Sequence, residues 1–183
     1  MYRIVSSLFL VLLLLLSGCG SGSSAGTGAA MPATIIAEFS SISAGGNHTV
    51  ALKPDGTLWA WGNNASGQLG NGTNNSRNTP EQIGTGTNWA AISAGGDHTV
   101  ALISDGTLWA WGNNASGQLG DGTNNSRNTP EQIGTDTNWA AISAGGDHTV
   151  TLKTDKTLWT WGLNSYGQLG NGNNTNSPIP NQI

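Results

Sequence analysis

Three histidines, spaced fifty residues apart, are the side chains of this chain best suited to chemistry: His48, His98 and His148. Three imidazoles could contribute to a zinc site, which usually has four ligands. No cysteine or carboxylate recurs beside them in a ligand pattern, and equivalent positions in a repeat protein meet only close to a shared axis. We therefore predict no metal site. Each histidine is expected to bond the backbone after a Gly-Gly turn and to fix the start of a strand.

A Ser/His/Asp set of the kind used in nucleophilic catalysis can be drawn through Ser43, His48 and Asp55. The same letters recur at the same spacing in two later copies: Ser93, His98, Asp105 and Ser143, His148, Asp155. A triad is not made in triplicate, so we predict no catalytic residues and expect each aspartate to cap backbone N–H groups in a turn. The glycine-rich GQLGNG and GQLGDG segments are not followed by a lysine or a helix, so no phosphate-bearing cofactor is predicted.

These residues belong to a repeat with a constant period of fifty. Residues 42–91 and 92–141 differ at only five positions, while the third copy diverges more and stops eight residues short. The eight residues that the third copy lacks have their counterparts at the start of the array, because Phe39 lies fifty residues before Trp89. The sequence therefore predicts three whole repeats within an ordered region of residues 35–183, at about 39–88, 89–138 and 139–183.

Each repeat contains short runs of β-forming residues. HTVAL and TLWAW alternate with period two around a KPDG or ISDG turn, which predicts a hairpin. TPEQI and NWAAISAGG offer two more strands, and no helical apolar stripe follows the N-terminal segment. Four strands per fifty residues predict an all-β fold, a β-propeller of three four-stranded blades in an incomplete ring. Trp59 and Trp61 are expected to pack between blades, with an aromatic platform for sugars as the alternative.

The N-terminal segment predicts export and lipidation. Residues 1–18 contain one cation and a thirteen-residue apolar run, too short for a membrane span of about 20 residues but typical of a signal peptide. The LSGC sequence ending at Cys19 resembles the lipobox of bacterial lipoproteins, so this only cysteine is predicted to carry the lipid. Residues 19–34 then form a flexible tether. Gly20 is not an aspartate, which favours the outer membrane or cell surface within the cell envelope.

The charge of the chain argues against nucleic acid as a partner. Only 9% of the residues are charged, and the chain without residues 1–18 has five basic residues against ten acidic ones, a net charge of −5. A surface that follows a phosphate backbone needs clustered cations, whereas these are scattered.

The string AGG-x-HTVAL-x-x-DG-TLWAWG-x-N-x-x-GQLG-x-G resembles the repeat of the regulator of chromosome condensation family. The resemblance covers residues 39–183 and implies a seven-bladed β-propeller that recognises proteins through loops at its faces; its members include nucleotide exchange factors and a secreted inhibitor of β-lactamases. This chain has three units and no insertion of the kind that performs exchange. The repeat residues expected to be structural are His48, Trp61, Gly62, Gly67, Gln68, Gly70, His98, Trp111, Gly112, Gly117, Gln118, Gly120, His148, Trp161, Gly162, Gly167, Gln168 and Gly170.

The sequence thus predicts a lipid-anchored, non-catalytic propeller that binds an unidentified protein. Leu163, Ser165 and Tyr166 replace residues shared by the first two repeats, and they are the candidate partner-binding patch. The alternative is a structural or self-associating repeat protein, or the remnant of a longer propeller, because the blades at each end of the array have unpaired faces that could pair between chains. A carbohydrate-active enzyme or an exchange factor has less support. Lys156 stands where Gly56 and Gly106 occupy the hairpin turn, so it is expected to adopt a positive φ.

Overall fold

The structure is a computed structural model that describes residues 38–183. The predicted signal peptide, the lipidation site and the tether lie outside the described residues. In the described part, no helix is long and apolar enough to cross a membrane. All regular elements there are β-strands: β1 (Ser41–Ala44), β2 (His48–Leu52), β3 (Leu58–Gly62), β4 (Arg77–Gln82), β5 (Trp89–Ala94), β6 (His98–Ile103), β7 (Leu108–Gly112), β8 (Arg127–Gln132), β9 (Trp139–Ala144), β10 (His148–Lys153), β11 (Leu158–Gly162) and β12 (Ser177–Gln182).

The strands form three antiparallel sheets of four, each built from consecutive strands in chain order: β1–β4, β5–β8 and β9–β12. We call these sheets the first, second and third blade. The first strand of each blade packs beside the first strand of the next blade, as in a propeller. The predicted all-β propeller of three four-stranded blades without a closed ring is confirmed.

The central hairpin of each blade follows from its turn chemistry. In the first blade β2 and β3 pair in register up to Leu52 opposite Leu58. The Asp55 carboxylate accepts hydrogen bonds from the backbone N–H of Thr57 at 3.0 Å and from its hydroxyl at 2.7 Å, and Gly56 has φ +78°. Lys156, at the equivalent position of the third blade, has φ +73°, as its place in the repeat predicted.

The core lies between blades because the period-two pattern gives each blade two different apolar faces. One face carries the aliphatic side chains of β2 and β3, such as Val50 and Leu58, and the other carries tryptophans. The aliphatic face of the first blade packs against Trp111 and Ala94 of the second. The second and third blades repeat this arrangement, with Trp161 in the place of Trp111. Every junction between blades therefore joins unlike faces in the same order.

Candidate functional site

The repeated histidines lie at the junctions between blades. Nε2 of His48 is 2.9 Å from the hydroxyl of Thr99 in the next blade, and Nε2 of His98 is 3.1 Å from the hydroxyl of Thr149. The Thr99 hydroxyl donates its single hydrogen to the carbonyl oxygen of Gln68 at 2.8 Å, so His48 must donate to it from Nε2. The partner is a side chain of the neighbouring blade and not the backbone group that the sequence predicted.

The buried imidazoles are held in the neutral form. Burial, together with the neighbouring His48 and His148, lowers the pKa of His98 to about 3. Burial also lowers the pKa of His48, to about 4, although the charge of Asp97 opposes the shift. Nδ1 of both residues is buried without a hydrogen-bond partner. A neutral ring that donates from Nε2 is the form that this geometry accommodates.

The residues of the possible Ser/His/Asp sets do not come together. The hydroxyl of Ser43 accepts a hydrogen bond from the backbone N–H of Ala94 at 3.0 Å, across the first junction. Asp55 caps its own turn, and His48 bonds to Thr99. Among residues 38–183, no three His, Cys, Asp or Glu side chains are grouped closely enough to hold a metal ion. The same three roles recur at the second junction.

Gln68 connects the repeated GQLG segment to the next blade. Its side-chain amide donates to Asp97 at 2.7 Å. Its backbone carbonyl oxygen accepts from the indole N–H of Trp111 at 2.9 Å and also from the hydroxyl of Thr99. A Cβ on Gly70 would lie 2.7 Å from the indole nitrogen of Trp111, so only glycine lets the loop approach this closely. Gln118, Gly120 and Trp161 repeat the arrangement at the second junction.

The other predicted structural glycines occupy close approaches too. Gly62, Gly112 and Gly162 have φ of +107°, +103° and +102°, and a Cβ on any of them would lie within 2.8 Å of the backbone at the preceding Gly-Gly turn. Gly67 and Gly117 lie against β8 and β12 of the following blades, where a Cβ would come 2.6 and 2.5 Å from the Cα atoms of Asn128 and Pro178. Gly167 and Gly170 lie at the uncovered side of the third blade, where the nearest atoms are 3.7 and 3.8 Å away.

Sequence reasoning missed a buried asparagine that organises the loop after the third strand of each blade. Asn64 is fully buried, and its amide donates to Asn71 Oδ1, Thr73 O and Asn75 O at 2.9–3.2 Å. Its side-chain oxygen accepts the N–H of Leu69 at 2.9 Å. Asn114 and Asn164 do the same in the other blades. All three asparagines recur in the WG-x-N string, and this recurrence was the signal from which the sequence could have identified them.

Four of the eight tryptophans show two different environments. Trp111 and Trp161 are fully buried at the junctions and present no ring face to a sugar. Trp59 and Trp159 are half-buried at the edges, where Lys53 Nζ lies 3.8 Å from one ring centroid and Lys153 Nζ lies 4.2 Å from the other. Lysine covers these two rings, which therefore serve packing. Trp61, the other member of the predicted pair, is half-buried, and its role in packing stays a prediction.

Two blade faces have no covering blade in the described chain. The first-blade face consists of Phe39, Ile42, Ala44, Thr49 and Trp61, and Ile42 is 74% exposed although its later copies are half-buried. The third-blade face consists of Ser143, Val150, Leu152, Leu158 and Gln168. Leu152 and Leu158 are 38% and 37% exposed, whereas their counterparts at the two junctions are at most 5% exposed.

The predicted partner-binding patch borders the third-blade face. Tyr166 is 91% exposed, Ser165 is exposed and Leu163 is half-buried, all on the loop between β11 and β12. The two earlier copies of this loop pack on the following blade through Gly67 and Gly117. The substitutions of the third repeat therefore fall beside the surface where a following blade would lie.

Comparison with known proteins matches this repeat to one family. The family model "Regulator of chromosome condensation (RCC1) repeat" matches residues 55–102, 105–152 and 155–183, and a second model of the same description matches 39–68, 89–118 and 139–168.

Solved structures are similar in fold. The chain is 25% identical to human WBSCR16 over 81% of its length, with a TM-score of 0.72, and 23% identical to Prp20p from Saccharomyces cerevisiae over 79%, with a TM-score of 0.73. It covers 38% of each of those chains. A further similar structure is yeast RCC1 (Prp20) bound to Kap60, at 22% identity and a TM-score of 0.71, with 79% of this chain and 37% of that one covered.

Proposed function

The chain belongs to the regulator of chromosome condensation (RCC1) repeat family, and we propose that it acts as a non-catalytic protein-binding module. The similar yeast protein Prp20p is described by its binding to Gsp1p and histones, and in another structure by its complex with Kap60. Those partners belong to that protein. What this chain shares with it is a repeat and a propeller fold whose rigid blades can present a binding surface.

The observation that carries the proposal is the uncovered third-blade face with Tyr166 beside it. Leu152 and Leu158 are each more than a third exposed on this face, and Tyr166, on the loop that borders it, is 91% exposed. An exposed apolar face of this kind is typical of a protein interface, and tyrosine is enriched in such interfaces. The loop that carries Tyr166 adds polar groups, since the side-chain amide of Asn174 donates to the carbonyl oxygen of Ser165 at 3.3 Å.

A non-catalytic role is supported by what the reactive side chains do. The junction histidines bond to threonines, the serine hydroxyls accept backbone N–H groups, and the turn aspartates cap their own turns. Each of these interactions holds blades or turns together, and each recurs by repeat. Among residues 38–183 they leave no unlike set of nucleophile, base and stabilising donor such as a catalytic site requires.

We further propose that lipidation at Cys19 holds the module at the cell envelope of a bacterium, at the outer membrane or cell surface. The proposal rests on the apolar N-terminal segment, the LSGC sequence and the Gly/Ser-rich stretch that follows it. A flexible tether would let the blade faces meet a partner at a distance from the lipid. The acidic net charge of the remainder gives a nucleic acid no surface to follow.

The test is capture from envelope extracts by the full chain purified in detergent. We expect envelope proteins that are retained by the parent chain and lost with Tyr166→Ser, which restores the residue of the other repeats. Ser66→Ala is the matched control, since it changes the same loop position inside a junction, and it should retain them. Equal retention by the parent chain and Tyr166→Ser would contradict the proposed surface, and no specific retention would contradict the proposed function.

A further inference from the structure

We infer that the third-blade face binds the first-blade face of a second copy of this chain, head to tail. The inference rests on the proposed function, since it names the partner of the same face. Its template is internal: the two junctions of the chain show which groups such a contact requires. Each copy has one half of these groups on its third-blade face and the other half on its first-blade face.

The apolar halves are complementary. At the first junction Ile92 packs against the cluster that contains Val50, Leu52 and Leu58. The third-blade face has a shallow cavity of about 180 Å³ at the equivalent place, lined by Val150, Leu152 and Leu158 together with Ile142. Ile42, the first-blade copy of Ile92, is 74% exposed and would enter this cavity from the second copy. Burial of these side chains supplies the apolar part of the contact.

The polar halves match as well. At the first junction the carbonyl oxygen of Gln68 accepts from Thr99 and Trp111, and at the second that of Gln118 accepts from Thr149 and Trp161. At the third-blade face the carbonyl oxygen of Gln168 has no such donors in the described chain, while Thr49 and Trp61 on the first-blade face have no such acceptor. Bringing the two faces together restores both bonds.

Three further pairs follow by the same repeat relation. His148 would donate to Thr49 as His98 donates to Thr149 at 3.1 Å. The Ser143 hydroxyl would accept the N–H of Ala44 as Ser93 accepts that of Ala144 at 2.9 Å. Gln168 would bond Asn47, which occupies the place of Asp97 and Asp147 and keeps the acceptor oxygen. Every polar group used at a junction thus has its counterpart.

The charges point to a second copy. At the first junction the turn residue Gly56 lies against Asn88, whose backbone nitrogen is 3.4 Å from where a Cβ on Gly56 would be. In a contact between copies, Lys156 of one copy would take the place of Gly56, and Glu38 of the other copy would take the place of Asn88. Both residues are exposed. An uncharged pair inside the chain is replaced by opposite charges only where two copies would meet.

Lys156 also sets a limit on the fit. A Cβ on Gly56 would lie 2.1 Å from the carbonyl oxygen of Thr87, and on Gly106 equally close to that of Thr137. In a contact between copies the side chain of Lys156 therefore needs room that neither junction within the chain provides at this turn. The contact between copies keeps the blade packing but differs at this one turn.

The contact joins unlike faces, so two copies either close a ring through two contacts or grow into an open chain. Two copies supply six blades, which lies within the range of about four to eight found in closed propellers. A contact between two like faces would instead stop at two copies and leave the other faces uncovered. This difference makes the arrangement testable.

The test is native mass spectrometry of the full chain purified in detergent. The parent chain is expected to form assemblies of two or more copies. Ile42→Asp, on the first-blade face, and Leu152→Glu, on the third, should each be monomeric, with melting temperatures that show they are folded. Mixed, they should form a dimer of one copy of each and nothing larger, because each variant retains the face that the other has lost.

A charge exchange tests the contact through exposed residues that do not support the fold. Glu38→Lys and Lys156→Glu should each weaken the assembly by on the order of fivefold, and the double variant should recover it. Assembly that neither single variant weakens would contradict the predicted pairing of these positions. A dimer of either face variant with itself would overturn the head-to-tail arrangement.

The outcomes for the inference and the proposed function are separable. A parent chain that stays monomeric, yet loses its envelope partner on Tyr166→Ser, would overturn the inference and leave the proposed function standing. Assembly that captures only further copies of the chain from extracts would support the inference and exclude a separate partner.

Discussion

His98 of the second blade and Thr149 of the third are joined by a hydrogen bond of 3.1 Å between Nε2 and Oγ1, in a site closed to solvent. Thr149 passes its own hydrogen to the carbonyl oxygen of Gln118 at 2.8 Å. A single chain of bonds therefore connects two blades through an imidazole that must stay neutral. It makes the junction sensitive to pH.

We predict that acid weakens the blade junctions through His98. Its pKa is about 3 in the folded chain and 6.5 in the unfolded chain, so between these values the unfolded chain binds more protons. This contribution to the free energy of unfolding is constant above pH 6.5 and falls as the pH drops toward 3, by about 3–5 kcal/mol. Thermal unfolding from pH 8 to pH 4 should show a shallower decline for His98→Gln than for the parent chain. Asn113→Ala, which removes an exposed side-chain hydrogen bond and no titratable group, is the control and should decline as the parent chain does.

Trp111→Phe should lower the free energy of unfolding by about 1–2 kcal/mol, because it removes a buried hydrogen bond to Gln68 along with indole packing. The control is Trp61→Phe on the first-blade face, where the equivalent indole is half-buried. Trp61→Phe should lower the free energy of unfolding of the monomer clearly less than Trp111→Phe does. Equal losses in chemical denaturation would show that junction position does not decide the contribution of these tryptophans.

Lys156→Gly should raise the free energy of unfolding by about 1 kcal/mol, since a residue other than glycine is strained at φ +73°. The reverse change, Gly106→Lys, should be far more damaging. It adds the same strain and places a Cβ 2.1 Å from the carbonyl oxygen of Thr137. A fall in melting temperature for Lys156→Gly would contradict this account of the turn.

Asn114→Ala should cost about 2–4 kcal/mol, because the fully buried amide satisfies loop carbonyl groups and the N–H of Leu119. Asn113→Ala is the matched control one residue away. The side chain of Asn113 accepts a single exposed hydrogen bond, from the N–H of Ala115 at 2.8 Å, so its loss should cost less than about 1 kcal/mol. Denaturant unfolding of both variants measures the difference.

Cys19→Ala should abolish incorporation of a fatty-acid probe during metabolic labelling in a bacterial host, and should leave an uncleaved or soluble precursor. Ser24→Ala, in the predicted tether, is expected to label as the parent chain does. Equal labelling of the parent chain and Cys19→Ala would rule out this cysteine as the lipid site.

The architecture of one blade could be predicted from the sequence because its signals are local. The alternation in HTVAL and TLWAW determines which side chains share a face, and the DG turn between them places Asp55 and Gly56 where a short cap and a positive φ are required. The exact recurrence of these signals predicted three blades. Lys156 shows how far this extends, since its φ followed from its place in the repeat alone.

The partners across each junction were decided by the tertiary structure. The sequence singled out His48 but assigned it a backbone partner, because nothing local shows that Thr99, fifty-one residues later, lies 2.9 Å away. Asn64 went unnoticed because its role depends on hydrogen bonds to groups seven to eleven residues later, which only the folded loop brings together. By itself the sequence determined which faces each blade has. Only packing decided which face meets which, since burial and hydrogen bonding between blades depend on positions that are distant in the chain.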